Sequence, residues 1–347
     1  MRLVLVTGAG ASRELGHAGQ LPLMPDWAAE LRRELNSRES GLADAIGLTA
    51  GMSGPDFEET LGALLRWRDL RALNERFRAL GGPKAGQYFE QVVQAYDHEG
   101  QRLDSVLTGI NETLFRLFGA GRIDDDAAVS AYAKLLKVVG HPNDLTVITT
   151  NYDPAAEIAL LGLGRVPDTG FTRPPGRAPV LDPAGVVERS RGDDDAVAVL
   201  HLHGAVGWYE DDGVVHEQHQ DQDYNATLGR PVVLYPDPDK DPTRDAVVQS
   251  LWHEFDVALE EATHVIVLGH SLHDRALVDK LMSASRHLEH MVVCLYRGLD
   301  DSVYQRSAER ILDLFSGAFV NVVPANFSPR GDDLVALESA LAARRAA

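Results

Sequence analysis

Cysteine is nearly missing from this chain: Cys294 is the only one in 347 residues. A single cysteine excludes an intrachain disulfide and any cysteine-rich zinc module. Positive charge is scarce as well. Lysine and arginine total 33 against 52 aspartate and glutamate, a net charge of −19. Nonspecific attachment to a phosphate backbone is therefore disfavoured, and no direct nucleic-acid binding is expected unless a local basic patch supplies it. No uninterrupted apolar run is long enough to span a bilayer. The opening Met1-Arg2-Leu3-Val4-Leu5-Val6 is too short for a signal-peptide core and runs straight into a glycine turn. Internal repeats are lacking too. The expectation is a soluble, cytoplasmic protein with no membrane contact. Hydrophobic content of 44% and charged content of 24% are those of an ordinary globular chain, so a packed core is affordable.

What the chain does have is apolar runs that end in polar or glycine clusters. Leu145-Thr146-Val147-Ile148 runs into Thr149-Thr150-Asn151-Tyr152-Asp153, and Pro154 to Leu160 reads as a helix. Polar groups at the carboxyl end of a parallel strand lie where open α/β sheets bind ligands. Asp153 before Pro154 is equally a good helix cap, and capping alone would account for it. Leu3 to Val6 is a buried-strand run followed by Thr7-Gly8-Ala9-Gly10-Ala11-Ser12. Small residues let the backbone approach a phosphate, although the same residues also make a plain tight turn. Arg13 stands where the dinucleotide fingerprint needs its third glycine, and no second strand ending in an acid follows soon, so a hydride-transfer site is poorly supported.

From Trp27 to Val139 the periodicity is helical. Trp27, Leu31 and Leu35 share one face, as do Phe57, Leu61, Leu64 and Leu65. Gly81-Gly82-Pro83 is a break. Leu103–Phe118 and Ala127–Val139 read as two further helices, the second started by Asp124-Asp125-Asp126. Arg66, Arg68, Arg71, Arg76 and Arg78 form either a solvated helix face or a contact surface for a partner or an acidic ligand. After the Asn151 helix, Phe171 to Asp182 reads as loop. Ala196 to Leu200 is a strand that enters His201-Leu202-His203-Gly204. A period of two puts both histidines on one face, where each could be structural, but His203 at the strand end is usable. Asp211 to Tyr224 reads as a hairpin or polar loop, Pro231 to Pro236 as a short strand and Thr243 to Glu261 as a helix. Val265 to Leu268 is a buried strand leading into Gly269-His270-Ser271-Leu272-His273-Asp274. Val292–Tyr296 and Phe319–Val323 are the last strands, and Leu334–Arg345 is a terminal helix. The alternation predicts an α/β fold: a Rossmann-like, doubly wound, mainly parallel sheet with a large helical insertion. The insertion is placed at 27–139, inside a discontinuous domain of 1–26 and 140–347.

Four strand ends thus carry clusters: Gly8–Ser12, Thr150–Asp153, Leu202-His203-Gly204 and Gly269–Asp274. In this order they resemble the sirtuin superfamily, whose members bind NAD and break its nicotinamide–ribose bond. The resemblance implies that Gly8, Ala9, Gly10 and Ser12 cradle the NAD phosphates. It implies that Asn151 and Asp153 line the nicotinamide-ribose pocket, with Asn151 and His203 catalytic. It implies that Gly269, Ser271 and Asp274 contact NAD from the later loop. Sirtuin deacylases also carry two cysteine pairs that hold zinc, and this chain has none in that interval. What remains resembles the sirtuin-like NADases of bacterial antiphage defence, which implies NAD as substrate and no zinc or other metal. That resemblance implies a regulated NAD hydrolase, a homo-oligomer, and a partner such as an ATPase/helicase of the HerA type or another defence sensor. Three rivals stand beside it. Gly269-His270-Ser271-Leu272-His273 resembles a nucleophile elbow on Ser271, though the last glycine is missing. His201, His203, His216 and His219 have metal-ligand spacings. A non-catalytic NAD- or ADP-ribose-binding regulatory subunit would use the same fold.

Overall fold

The computed structural model describes residues 1–17, 21–66, 103–142, 144–173, 178–193, 195–218, 224–225, 228–236, 245–296, 299–316, 320–325, 327 and 334–342. The chain divides into two compact units. One comprises Met1–Leu23, Phe118–Leu234 and Asp241–Ala347, and the other Met24–Leu117 and Tyr235–Lys240.

In chain order the strands are β1 (Arg2–Thr7), β2 (Asp144–Thr149), β3 (Val166–Asp168), β4 (Phe171–Thr172), β5 (Val180–Leu181), β6 (Ala196–His201), β7 (Gly204–Asp211), β8 (Val214–Glu217), β9 (Arg230–Val233), β10 (His264–Leu268), β11 (His290–Leu295) and β12 (Val320–Pro324). The helices are α1 (Ala9–Ser12), α2 (Met24–Arg38), α3 (Leu42–Ala45), α4 (54–66), α5 (103–118), α6 (Asp125–Val139), α7 (Ala155–Gly162), α8 (Val186–Arg191), α9 (Ala246–Glu261), α10 (Arg275–Ala284), α11 (Asp301–Leu314) and α12 (Val335–Ala342).

Among the described residues, seven strands pair in parallel in the order β12-β11-β10-β1-β2-β6-β3. The doubly wound parallel sheet expected from the alternation is therefore present. Its strands are apolar on both faces because both faces are covered. In β1, Val4 and Val6 join the core under α8, α9, α10 and α11, while Leu3 and Leu5 join the core under α6, α7 and α12. Helix α6 begins where the acidic run predicts: the Asp124 carboxylate accepts a hydrogen bond from Ala127 N at 3.0 Å. From β1 the chain steps outward through β2 to β3 and β6, then crosses back to β10, β11 and β12 on the other side. The winding reverses between β1 and β10, and an open α/β sheet has its ligand crevice at such a reversal.

The second, smaller sheet is antiparallel, in the order β4-β5-β8-β7-β9. Part of it corrects the sequence reading. The stretch from Phe171 to Asp182 contributes β4 and β5 instead of being loop throughout. Two-residue strands are too short to show a period of two. The same holds for the three-residue edge strand β3, which no pattern announces. A hairpin is present at β7–β8, but only its turn and second strand lie in the stretch from Asp211 to Tyr224; its first strand, β7, precedes that stretch and was not read from the sequence. Asp211 pairs with Val214 across Asp212 and Gly213, both at positive φ (48° and 78°), the backbone of a type I′ turn.

In the other unit, the apolar faces read from the sequence are buried. Trp27, Leu31, Leu35, Phe57 and Leu61 are almost wholly inaccessible, and the Trp27 and Phe57 rings meet edge to face at 5.2 Å. Arg38 pairs with Glu112, and Arg116 with Glu30, so ion pairs join α2 to α5. Arg66 is exposed, the last described residue of α4. Arg68, Arg71, Arg76, Arg78 and the Gly81-Gly82-Pro83 break lie outside the described residues.

Candidate functional site

Four consecutive strands of the sheet, β10, β1, β2 and β6, deliver the four clusters at their carboxyl ends. The loops are tied to one another through backbone. Gly8 N donates to Leu268 O at 3.0 Å, Gly10 N to Gly269 O at 2.9 Å, Thr150 N to Thr7 O at 3.1 Å and Leu202 N to Thr149 O at 2.9 Å. Gly269 sits at φ +61°, and a Cβ there would lie 2.1 Å from Ala11 N. Both the dihedral and the space require glycine. Gly269→Ala is expected to cost roughly 3 kcal/mol or more, because strain and overlap add. Denaturant unfolding checks this, and a loss within experimental error would show that the two loops can separate cheaply.

Asn151 is buried (6% exposed) and its side chain is fully defined by its partners. Nδ2 donates to Gly8 O at 3.0 Å and to Ser12 Oγ at 2.8 Å. Gly8 O can only accept, so the atom facing it must be the amide nitrogen. The carbonyl Oδ1 is thereby turned the other way. Ser12 Oγ, accepting from Asn151, donates its own proton to Asp153 Oδ1 at 3.1 Å. Asp153 Oδ1 also accepts from Ala155 N at 3.1 Å at the start of α7. The helix starts one residue later than the capping reading had it: Pro154 takes the N-cap position, and Asp153 lies in the turn before it, bonded to the first helical N–H. Thr149 Oγ1 accepts from Asn151 N at 3.0 Å, a support that the sequence did not single out.

Burial pushes the Asp153 carboxyl up to about 6. The Ala155 N–H and the Ser12 hydroxyl pull it down, Glu157 pushes it up and His201 pulls it down. A raised carboxyl contributes stability that is complete below its ordinary value of 3.8 and lost as pH rises through about 6. About two pH units correspond to something on the order of 3 kcal/mol. Asp153→Asn keeps an oxygen for Ala155 and Ser12 and removes this titration. Between pH 4 and 7 the wild type is therefore expected to lose stability relative to the variant by roughly 2–3 kcal/mol. Urea titrations of both proteins across that range check it. Parallel curves would mean that Asp153 is not held in this way.

The two histidines of β6 part company. The strand ends at His201, and His203 lies in the following turn, so the period of two stops between them. His201 is wholly buried. Its Nδ1 is 3.2 Å from Asn151 O and its Nε2 2.7 Å from Glu157 Oε1. His203 Nε2 is 3.0 Å from Asp274 Oδ2, and both side chains are about 5% exposed. The other oxygen of Asp274 accepts from Leu277 N at 3.1 Å and caps α10. Gly204, next to His203, has φ +71°, and a Cβ there would meet Val232 O at 2.0 Å. The turn that presents His203 is thus locked against β9, where Leu234 N also donates to His203 O at 2.7 Å.

The residues singled out in the sequence therefore fall into three groups. Gly8, Ser12, Asn151 and Asp153 form one hydrogen-bonded network. His203 and Asp274 form a pair. Gly10 and Gly269 join two loops through backbone, and Ala9 and Ser271 are exposed. Sequence reasoning missed the Glu157–His201 pair and the partnership of His203 with Asp274. Glu157 lies in the first turn of α7, four residues after Asp153, which was the available signal. No local pattern links residues 203 and 274.

The geometry does not favour the two catalytic rivals. The left-handed residues in the β10 loop are Gly269 (φ 61°) and Leu272 (φ 54°), and α10 starts only at Arg275. A nucleophile elbow would strain Ser271 itself, directly between strand and helix. Of the four spaced histidines, His201 faces Asn151 and Glu157, His203 faces Asp274, and His216 Nδ1 lies 3.3 Å from Pro179 O. His219 is outside the described residues. Among the described residues no group of three or more histidine, cysteine, aspartate or glutamate side chains is placed to hold a metal. Cys294 is buried, and its thiol is pushed up to about 12 by that burial, so it is inert. Among the described residues no helix is long and apolar enough to cross a membrane.

Fold and geometry together define an α/β protein with a buried polar network at the winding reversal of a parallel sheet, the place where open α/β sheets have their ligand crevice. Residues 145–312 match the family model described as a SIR2-like domain, a stretch that contains Asn151, Asp153, His203, Gly269, Ser271 and Asp274. Among solved structures the chain is similar to a mutant described as "Sir2 homologues" in complex with 2'-O-acetyl ADP ribose. The identity is 15%, the coverage 99% of this chain and 92% of that one, and the TM-score 0.38. At that score the likeness is weak. No curated protein matches the chain.

Proposed function

We propose that this crevice binds NAD and hydrolyses its nicotinamide–ribose bond, giving nicotinamide and ADP-ribose. The observation that carries the reading is the fixed Asn151 amide. Its nitrogen is held by Gly8 O and Ser12 Oγ, and its Oδ1 is left to orient a water, one strand away from the His203–Asp274 pair. The SIR2-like match over residues 145–312 supports the choice of substrate class.

The chemistry balances with these groups alone. The bond from the ribose anomeric carbon to the pyridinium nitrogen breaks, and its electron pair stays on nicotinamide. Positive charge builds on the sugar, as in glycoside hydrolysis. Water adds to the anomeric carbon and gives up a proton. With Nε2–H donated to the Asp274 carboxylate, Nδ1 of His203 is the basic nitrogen, able to take that proton from the water or from a ribose hydroxyl. Asn151 orients the water without needing to ionise. Ala9 and Gly10, exposed on the β1 loop, and Ser271, exposed on the β10 loop, are the positions from which these two loops would contact the rest of NAD. Gly8, Ser12 and Gly269 serve by shaping those loops, and Asp153 by holding Ser12.

The biological setting we propose is an NAD-depleting effector of antiphage defence in the cytoplasm. It would be held in check by homo-oligomer assembly or by a partner ATPase or sensor, because unrestrained NAD loss would harm its own cell. The resemblance of the four clusters is what supports this setting. The test of the activity is chromatographic: purified protein with NAD, following nicotinamide and ADP-ribose, beside Asn151→Ala and His203→Ala and with a chelator control. NAD loss that both substitutions abolish and the chelator spares is expected. NAD that neither binds by calorimetry nor turns over would overturn the reading.

A further inference from the structure

His201 has no place in the bond-breaking chemistry above, yet it is the most deeply buried ionisable side chain at the site, with no accessible surface. Its two ring nitrogens face two acceptors. Nδ1 lies 3.2 Å from the Asn151 carbonyl and Nε2 lies 2.7 Å from Glu157 Oε1. A backbone carbonyl can only accept, so Nδ1 must carry a proton. A carboxylate also only accepts, and 2.7 Å is the length of a charge-assisted bond. A neutral imidazole has one proton and can satisfy one of these partners, not both.

We infer that His201 is a buried imidazolium, paired with Glu157, that fixes the Asn151 backbone from behind and so acts as a positioning residue for the proposed NAD chemistry. The inference rests on that reading for its function, though not for its protonation. The groups that face the ring, and those that act on its partners, agree with a positive charge. From α7 comes Glu157, whose second oxygen, Oε2, is buried with no hydrogen-bond partner among the described residues. From the turn after β2 comes Asp153, whose charge also favours the protonated ring. From β7 comes the uncharged Trp208 ring, edge-on at 5.4 Å. From α6, Tyr132 is held neutral by its burial and by the Asp153 and Glu157 charges. Burial by itself would drive the His201 proton off, but Glu157, the Asn151 carbonyl and Asp153 outweigh it, and the net direction is upward from the ordinary 6.5. The stability this pairing contributes is therefore present below 6.5 and lost only as pH rises through a higher folded value.

Positioning follows from connectivity. The His201 bond holds the Asn151 carbonyl, Thr149 Oγ1 holds the Asn151 N–H, and Gly8 and Ser12 hold its side chain. Loss of the first lets the peptide after Asn151 rotate and moves Oδ1. A displacement of about 1 Å at a reacting centre is enough to cost up to roughly a hundredfold in rate.

The test is nitrogen NMR of the full chain with ring-labelled histidine, with Glu157→Gln as the probe. A glutamine amide can donate to Nε2, so a neutral His201 with its proton on Nδ1 satisfies both partners in the variant. At neutral pH the wild type is expected to show both His201 ring nitrogens in the protonated range, and the variant one nitrogen in the unprotonated range. The His201 signal is the one that Glu157→Gln moves and His201→Gln removes. Turnover by Glu157→Gln is expected to fall about tenfold in kcat with KM within about twofold. An unprotonated His201 nitrogen in the wild type would overturn the imidazolium, and wild-type kcat in Glu157→Gln would overturn the positioning role. The NMR result needs no turnover. Should the protein leave NAD untouched, the proposed function fails while the protonation of His201 is still decided.

Discussion

Asn151→Ala is expected to abolish NAD turnover, lowering kcat by roughly a hundredfold or more. The magnitude is that of removing one preorganised polar group from a buried site where charge develops. The structure separates this from a stability effect. Deleting the amide takes one donor from Gly8 O, which keeps the Ala11 N–H at 2.8 Å, and one partner from Ser12 Oγ, which keeps Asp153. A buried polar group left unsatisfied costs about 1–3 kcal/mol. That is a tolerable fraction of the stability of a domain with an extensive core on both faces of its sheet. The variant should fold, melt a few degrees early and still bind NAD, because the loops that shape the crevice are tied to each other through backbone and not through Asn151. Calorimetry with NAD and the chromatographic assay on the same preparation check both halves. Retained turnover would remove Asn151 from the chemistry. Lost binding together with lost turnover would make Asn151 a binding residue and weaken the assignment of a positioned water.

The legibility of this site in the sequence has a physical basis. Strand ends are readable because a parallel strand covered on both faces is apolar over most of its length, so its end is marked where polar residues and glycines cluster. Val4, Val6, Ile148, Leu200 and Val267 are buried on one face, and Leu3, Leu5, Val147, Val199 and Leu268 on the other. That marks Gly8, Thr150, His203 and Gly269 as the places where the chain turns. Helices with long apolar faces, such as α2 and α6, were equally plain. The missing information is of two kinds. Two- and three-residue strands such as β3, β4 and β5 carry no periodicity, and only the strands beside them determine that they form. Pairings across the sheet, His203 with Asp274 and Glu157 with His201, depend on strand order, which a single sequence does not contain. The glycines were read as room for a ligand. Gly269 in fact answers first to Ala11 and Gly10, with which it is in direct backbone contact.

That cross-sheet pairing gives the prediction with the other large effect. Asp274→Asn is expected to lower kcat by roughly two to four orders of magnitude while changing stability by less than about 1 kcal/mol. Asp274 does two jobs with two oxygens. Oδ1 caps α10 through Leu277 N, and Oδ2 faces His203 Nε2 at 3.0 Å. Asparagine caps a helix as well as aspartate does, so the first job is kept. The second is inverted. An amide nitrogen facing Nε2 donates where the carboxylate accepted, and His203 answers by moving its proton to Nδ1. The basic nitrogen is then the wrong one. In serine proteases the same exchange beside the catalytic histidine costs about 10⁴ in kcat without disturbing the geometry. The expected split is therefore a near-normal unfolding midpoint and near-normal NAD affinity with turnover lost. Asp274→Ala should differ by also losing the cap, at a further cost of about 1 kcal/mol. Should Asp274→Asn turn over NAD at the wild-type rate, the tautomer of His203 would not matter to the reaction. Its role would then be confined to binding, and Asp274 would be a helix cap that happens to lie beside it. Should Asp274→Asn unfold, the pair would be structural first, and His203→Gln, which leaves the cap untouched, would be the variant to decide the chemistry.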